Sequence, residues 1–276
     1  MVHNALPYSY PYSQAAQLDP RIKLPRPAID PNLAPLVDSV LLPEELDVSF
    51  LRSLDLDGNP EPIFKDNPHL THHHHAVPGS GGHTIDLSIL APKSVTGALP
   101  ALYYIHGGGM ISGNRFSALS SLIDLVQDVP CVIASVEYRL APETLAPGGA
   151  EDCYEGIVWI SQNATSLGID SAEIVVCGSS GGASLAAAAC LMARDRMLPT
   201  PSIKVEMLLS PMLDDRCDSI SDHQFKYGVP WNGVTNRAAW DHALAGQRGT
   251  DKIAPYQAPS RATDLSNLPQ AYIDAA

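Results

Sequence analysis

The chain has 276 residues, 45% of them hydrophobic, 17% charged and 6% aromatic, and carries a net charge of −13. This is enough apolar material for one full-sized core, and it excludes a disordered chain. Seventeen basic side chains against thirty acids leave no patch to neutralise phosphates, which argues against a nucleic-acid partner, and anionic membrane surfaces repel such a chain.

Residues 1–31 are punctuated by Pro7, Pro11, Pro20, Pro25, Pro27 and Pro31, with no basic region leading into an apolar run as in a secretory leader. The most apolar stretch, Leu185 to Ala193, is shorter than the roughly 20 residues that cross a bilayer. The expectation is a cytoplasmic protein without a membrane partner. Phe50, Leu51 and Leu54 fall on one helical face. Residues 66–83, with His72 to His75 and Pro78-Gly79-Ser80-Gly81-Gly82, read as a loop. Contiguous histidines point in different directions and do not form a metal cage, so no metal is expected. Residues 1–75 are assigned to an N-terminal cap or flexible segment and residues 76–276 to a core.

The pattern becomes regular from Thr84. Ile85, Leu87 and Ile89 alternate with polar residues, as in a half-exposed strand. Ala101 to Ile105, Cys131 to Val136, Ile174 to Cys177 and Val205 to Leu209 are short apolar runs of buried strands, and Ala271 to Ile273 begins another. Helical spacing separates them at Ser117 to Gln127, Gly149 to Asn163 and the Ala-rich stretch Ala183 to Ala193. This alternation predicts an α/β fold with a mostly parallel sheet covered on both faces. Cys131, Cys153, Cys177, Cys190 and Cys217 are odd in number, form no C-x-x-C pair and read as buried reduced thiols.

Two segments carry chemistry. The strand ending at Cys177 runs into Gly178-Ser179-Ser180-Gly181-Gly182 and then a helix, which is the context a G-x-S-x-G nucleophile elbow requires. Such a turn exposes Ser180 Oγ and aims the Gly181 N–H, at a helix N-terminus, at developing negative charge. The strand ending at Ile105 runs into His106-Gly107-Gly108-Gly109, an HGGG loop of the kind that completes an oxyanion hole. A phosphate-binding turn would instead want Lys and Ser or Thr after the glycines, where Met110-Ile111-Ser112 stands. His106 is read as an orienting hydrogen bonder.

With these two segments and Glu137-Tyr138-Arg139-Leu140-Ala141-Pro142-Glu143 followed by Glu151-Asp152, the chain resembles the hormone-sensitive-lipase family of α/β-hydrolases from about Pro78 onward. Ser179 and Gly181 stand where that family often has Asp and Ala. The resemblance implies an α/β-hydrolase fold with an N-terminal helical cap and hydrolysis of small or short-chain carboxylic esters through an acyl-enzyme. It implies Ser180 as nucleophile, and Gly108, Gly109 and Gly181 as oxyanion donors supported by His106, Gly107, Gly178 and Gly182. It implies no metal or organic cofactor, and it brings a homodimer into consideration.

Leu268 to Ala276 resembles the strand before the family's triad acid, and Asp274 matches that strand's interior. The triad acid and His are therefore expected beyond Ala276, with the last strands and helix of the fold. After Ser180 the only histidines are His223 and His242, expected on a surface loop and an exposed helix face, near Asp214, Asp215, Asp218, Asp222 and Asp241. Three readings stay open: an ester hydrolase, a small-molecule-binding homologue without turnover, as in plant gibberellin receptors, and a fragment.

Overall fold

The computed structural model describes residues 28–39, 46–54, 59–95, 97–200, 202–227 and 229–275; the proline-rich segment up to residue 27 lies outside the described residues. Among the described residues three short helices, α1 (Ala34–Ser39), α2 (Val48–Ser53) and α3 (Glu61–Asp66), precede a seven-stranded sheet. Its strands are β1 (Leu70–Pro78), β2 (Thr84–Pro92), β3 (Leu99–Ile105), β4 (Val132–Glu137), β5 (Ile169–Ser179), β6 (Val205–Leu209) and β7 (Gln270–Asp274). They lie in the order β1-β2-β4-β3-β5-β6-β7. β1 and β2 are antiparallel to their neighbours, and the remaining pairs are parallel. Between the strands run α4 (Leu119–Leu125), α5 (Gly148–Gln162), α6 (Ala164–Leu167), α7 (Gly181–Arg196), α8 (Ile220–Gln224) and α9 (Gly233–Ala243).

The sheet is apolar on both faces because strand side chains alternate. Tyr103 and Val176 face one cluster with Ile157 and Ala186 of α5 and α7, while Tyr104 and Cys177 face another with Leu119 and Ile123 of α4 and Ile63 of α3. The expected strands and their intervening helices all occur, with ends shifted by a few residues, but β7, expected to be buried, is exposed along its length. The five cysteines are buried and unpaired.

The loop expected over residues 66–83 is corrected. Leu70–Pro78 is a strand paired along its length with β2, and loop remains only at residues 67–69 and in the Gly79–His83 turn. The histidine run reads as polar, but in a strand the rings of His72, His74 and His75 each find a partner. His72 stacks on Phe64 at 4.2 Å and bonds Ser88, His74 pairs with Asp86 at 3.0 Å, and His75 lies 5.2 Å from Trp159. The strand also crosses the expected boundary between residues 75 and 76.

The strand order places the site. The chain leaves β3 for β4 on one side and then crosses to β5 on the other, so the loops after β3 and β5 diverge from a common crevice. Ile105 and Gly178 are register partners, which sets His106 beside the Ser180 turn.

α5 approaches β3 closely only because Gly156 lacks a side chain; a Cβ there would land on the buried Tyr103 hydroxyl. Gly156→Ala should lower stability by about 1–3 kcal/mol through overpacking, read as a reduced urea midpoint with unchanged m-value.

Candidate active site

β5 ends at Ser179 and α7 begins at Gly181, so Ser180 alone makes the turn, at φ 55° and ψ −118°. A non-glycine residue there stores strain of order 1–3 kcal/mol and persists only where its surroundings over-determine it. Here the Ser180 N–H donates to Leu209 O at 2.8 Å, and the Ser180 carbonyl accepts from Ala183 N at 3.1 Å and Met212 N at 3.2 Å. The flanking glycines permit the turn. A Cβ at Gly178 would meet the Ala183 backbone at 2.6 Å, and one at Gly182 would strike the Ile105 and His106 carbonyls.

The HGGG segment lies directly against this turn. Gly108 and Gly109 have φ of 108° and 62°, and Met110 follows at 64°. The Gly108 carbonyl accepts from Ile111 N and Ser112 N at 3.1 and 3.0 Å, which curls the loop. A Cβ at Gly181 would meet Met110 N at 2.7 Å and Gly109 Cα at 2.8 Å. Glycine at 181, where the resembled family often has alanine, therefore matches an unusually close approach of the two backbones. The N–H of Gly181 belongs to the first turn of α7, whose amides have no partner within the helix.

His106 is fully buried, stacked on Tyr138 with ring centroids 4.2 Å apart. Its Nδ1–H donates to Gly107 O at 2.8 Å, and the Tyr138 hydroxyl donates to His106 O at 2.8 Å. Burial holds the imidazole down to about 4, so the ring is neutral at pH 7 and serves as a strut for the glycine loop. Behind it, buried Asp152 accepts from the Arg139 N–H at 2.9 Å and from the Arg139 guanidinium, which anchors the residue after Tyr138. His83 bonds the same carboxylate at 2.8 Å. His83, Asp152 and Glu155 offer donor atoms within 4.8 Å of one another, but Arg139 and His83 already engage both Asp152 oxygens.

Ser180 stands between two cavities. One, of about 480 Å³, is lined by Leu51, Arg52, Tyr104, Gly107, Gly108 and Leu140 among others. The other, of about 390 Å³, is lined by Met212, Asp214, Asp222, Trp231 and Asn236 among others. The structure thus gathers Ser180, the glycine loop and the Gly181 helix start at one point.

Among the described residues no histidine lines either cavity. His223 sits on α8, bonded to Asp218 at 2.6 Å, beside a separate hollow with Lys226 and Arg237. His242 lies in the last turn of α9. Three wall residues carry no sequence signal that points to them. Leu51 and Arg52 come from α2, and Trp231, whose ring lies against Gly109, precedes α9.

Residues 102–276 match the family described as alpha/beta hydrolase fold, and the chain belongs to that family. It is 29% identical over 257 residues to esterase LipI of Mycobacterium tuberculosis, covering 91% of this chain and 78% of that protein. It is 34% identical over 172 residues to an arylesterase of Saccharolobus solfataricus, covering 62% of this chain and 54% of that protein. Among solved structures, a bacterial heroin esterase superposes with TM-score 0.79 at 32% identity, covering 90% of this chain and 79% of that one. In the described residues no helix is long and apolar enough to cross a membrane.

The buried neutral His106 makes stability depend on pH. Its folded pKa lies below that of the unfolded chain, so the unfolded state takes up the proton first as pH falls. The loss begins near pH 6.5 and reaches about 3 kcal/mol near pH 4. His72 and His75, also shifted down by partial desolvation, act in the same direction. Urea denaturation at pH 7 and 4.5 should show a smaller difference for His106→Asn than for the wild-type chain.

Proposed function

We propose that Ser180 is the nucleophile of a carboxylic-ester hydrolase that takes small or short-chain acyl esters through an acyl-enzyme. Carboxylic-ester hydrolysis is the chemistry of this family's relatives, which carry the names esterase, arylesterase and carboxylesterase. The observation that carries the assignment is the strained Ser180 at the start of α7, with the His106–Gly109 loop packed against it and a cavity on either side.

In this reading an ester lies across Ser180 with its acyl and alcohol parts in the two cavities. Oγ attacks the carbonyl carbon. The carbonyl oxygen, becoming anionic, takes hydrogen bonds from the N–H groups of Gly108, Gly109 and Gly181, assisted by the positive end of the α7 dipole. The tetrahedral intermediate expels the alcohol, which leaves with the proton given up by Oγ, and water then hydrolyses the acyl-serine, returning a proton to Oγ and releasing the acid. No metal or organic cofactor enters the scheme. The reading includes a cytoplasmic setting, supported by five buried unpaired thiols, and, from the family resemblance, a homodimer.

Serine is a weak nucleophile without a base to take its proton. A second reading keeps the same site, with the pocket binding a small ligand without turnover. Loss of a triad member leaves only about 10³–10⁴-fold catalysis over water from the oxyanion hole and binding.

Hydrolysis of p-nitrophenyl acetate and butyrate by the purified full-length protein, lost in Ser180→Ala together with fluorophosphonate labelling, is the expected result. Saturable ligand binding with neither turnover nor labelling would select the second reading.

A further inference from the structure

We propose that Arg52 is a positioning residue that latches α2 onto the oxyanion loop and thereby sets the wall, and the acyl-chain selectivity, of the larger Ser180 cavity. The inference rests on the reading of Ser180 as an ester nucleophile.

α2 has six residues, none of them fully buried, braced locally by Asp47, whose carboxylate caps the N–H groups of Ser49 and Phe50, and by the Ser53 hydroxyl, which donates to Phe50 O at 2.7 Å. So short a helix has little stability of its own and is placed by its tertiary contacts. Arg52 supplies them in three directions at once. Its Nε–H donates to Ile111 O at 2.8 Å, two residues past Gly109. One terminal nitrogen donates to Ala141 O at 2.9 Å and to Glu143 Oε2 at 2.8 Å, and the other donates to Glu143 Oε1 at 2.8 Å. Ala141 N in turn donates to Met110 O at 2.9 Å, so the oxyanion loop and the Tyr138–Glu143 segment are already joined where Arg52 grips both.

The planar guanidinium suits this task. It presents a fixed fork of donors that holds a carboxylate bidentately while still reaching two carbonyls, which a lysine ammonium does not reproduce. The paired guanidinium holds the Glu143 carboxyl down at about 2, so the latch stays charged through the neutral range. Leu51, the next residue back, packs on the core and lines the same cavity as Ser180. Arg52 thus fixes where Leu51 stands relative to the nucleophile. A short acyl group does not need that wall, and a longer one does.

The test uses the full chain, with Arg52→Met, which keeps the apolar stem, and Glu143→Gln, which keeps the two carbonyl contacts. Hydrogen exchange over residues 48–53 reports the latch, and kinetics on p-nitrophenyl acetate and hexanoate report the wall. Arg52→Met should speed exchange at least tenfold. It should lower the hexanoate-to-acetate ratio of kcat/KM at least fivefold, chiefly through the hexanoate KM. Glu143→Gln should shift both in the same direction by less. Unchanged exchange in both variants, or faster exchange with a ratio within twofold of wild type, overturns the proposal. So does an equal loss on both esters with a lower melting temperature, which marks a merely structural residue. A full-length wild-type protein that hydrolyses neither ester refutes the ester-hydrolase reading, and the exchange arm then still decides the latch.

Discussion

The site depends on one close approach, that of the Gly182 backbone to the carbonyls of Ile105 and His106. It brings the start of α7 onto the end of β3, and no residue with a Cβ can stand there. Since Ile105 and Gly178 are register partners in adjacent parallel strands, the two loops that leave them must either collide or interlock. They interlock because residues 107–109 and 181–182 are glycines, and in doing so they aim amides from two separate elements at the space beside Ser180. The strained φ of Ser180 is a consequence, because α7 can start so near β3 only if the chain reverses within one residue.

Such a turn needs support from behind, and the support is a line of buried polar contacts. Asp152 on α5 holds the Arg139 backbone and guanidinium, Tyr138 stacks on His106 and bonds its carbonyl, and His106 holds the Gly107 carbonyl. Every group in this line except Arg139 and Gly107 is nearly inaccessible to water. In a low-dielectric interior each bond is stronger than in water and a missing partner costs more, so the line is rigid. Keeping His106 neutral is part of this, since an imidazolium in that enclosure would be uncompensated.

How much of this was legible depends on how far apart the interacting residues are in the chain. The strands from β2 onward and the glycine turn at 178–182 were readable, because apolar alternation and a strand-turn-helix pattern are local properties. The β1 strand was not, because its histidines look polar and their partners Phe64, Ser88, Asp86 and Trp159 lie elsewhere in the chain. Arg52 could not be recognised as a wall residue, since its partners are 59, 89 and 91 positions away. Trp231 against Gly109 is a contact of the same kind. His223 was expected on a surface loop and instead lies on a one-turn helix with a capping box, Ser219 and Asp222 bonding each other's backbone N–H.

That capping box leads back to the oxyanion loop from its other side. Asp222 uses one oxygen for the cap and accepts from Asn236 Nδ2 at 3.2 Å with the other. Asn236 Oδ1 accepts from the Trp231 indole at 3.3 Å, and the Trp231 ring lies over Gly109. The glycine loop is therefore clamped between two polar chains of different origin, one through His106 and α5, the other through α8, α9 and an aromatic ring. Glycines make a loop easy to deform, and an oxyanion hole is effective only if its donors are already in place when charge develops. The two clamps resolve that conflict, because the backbone freedom that permits the close approach is removed by side chains that reach the loop from outside it.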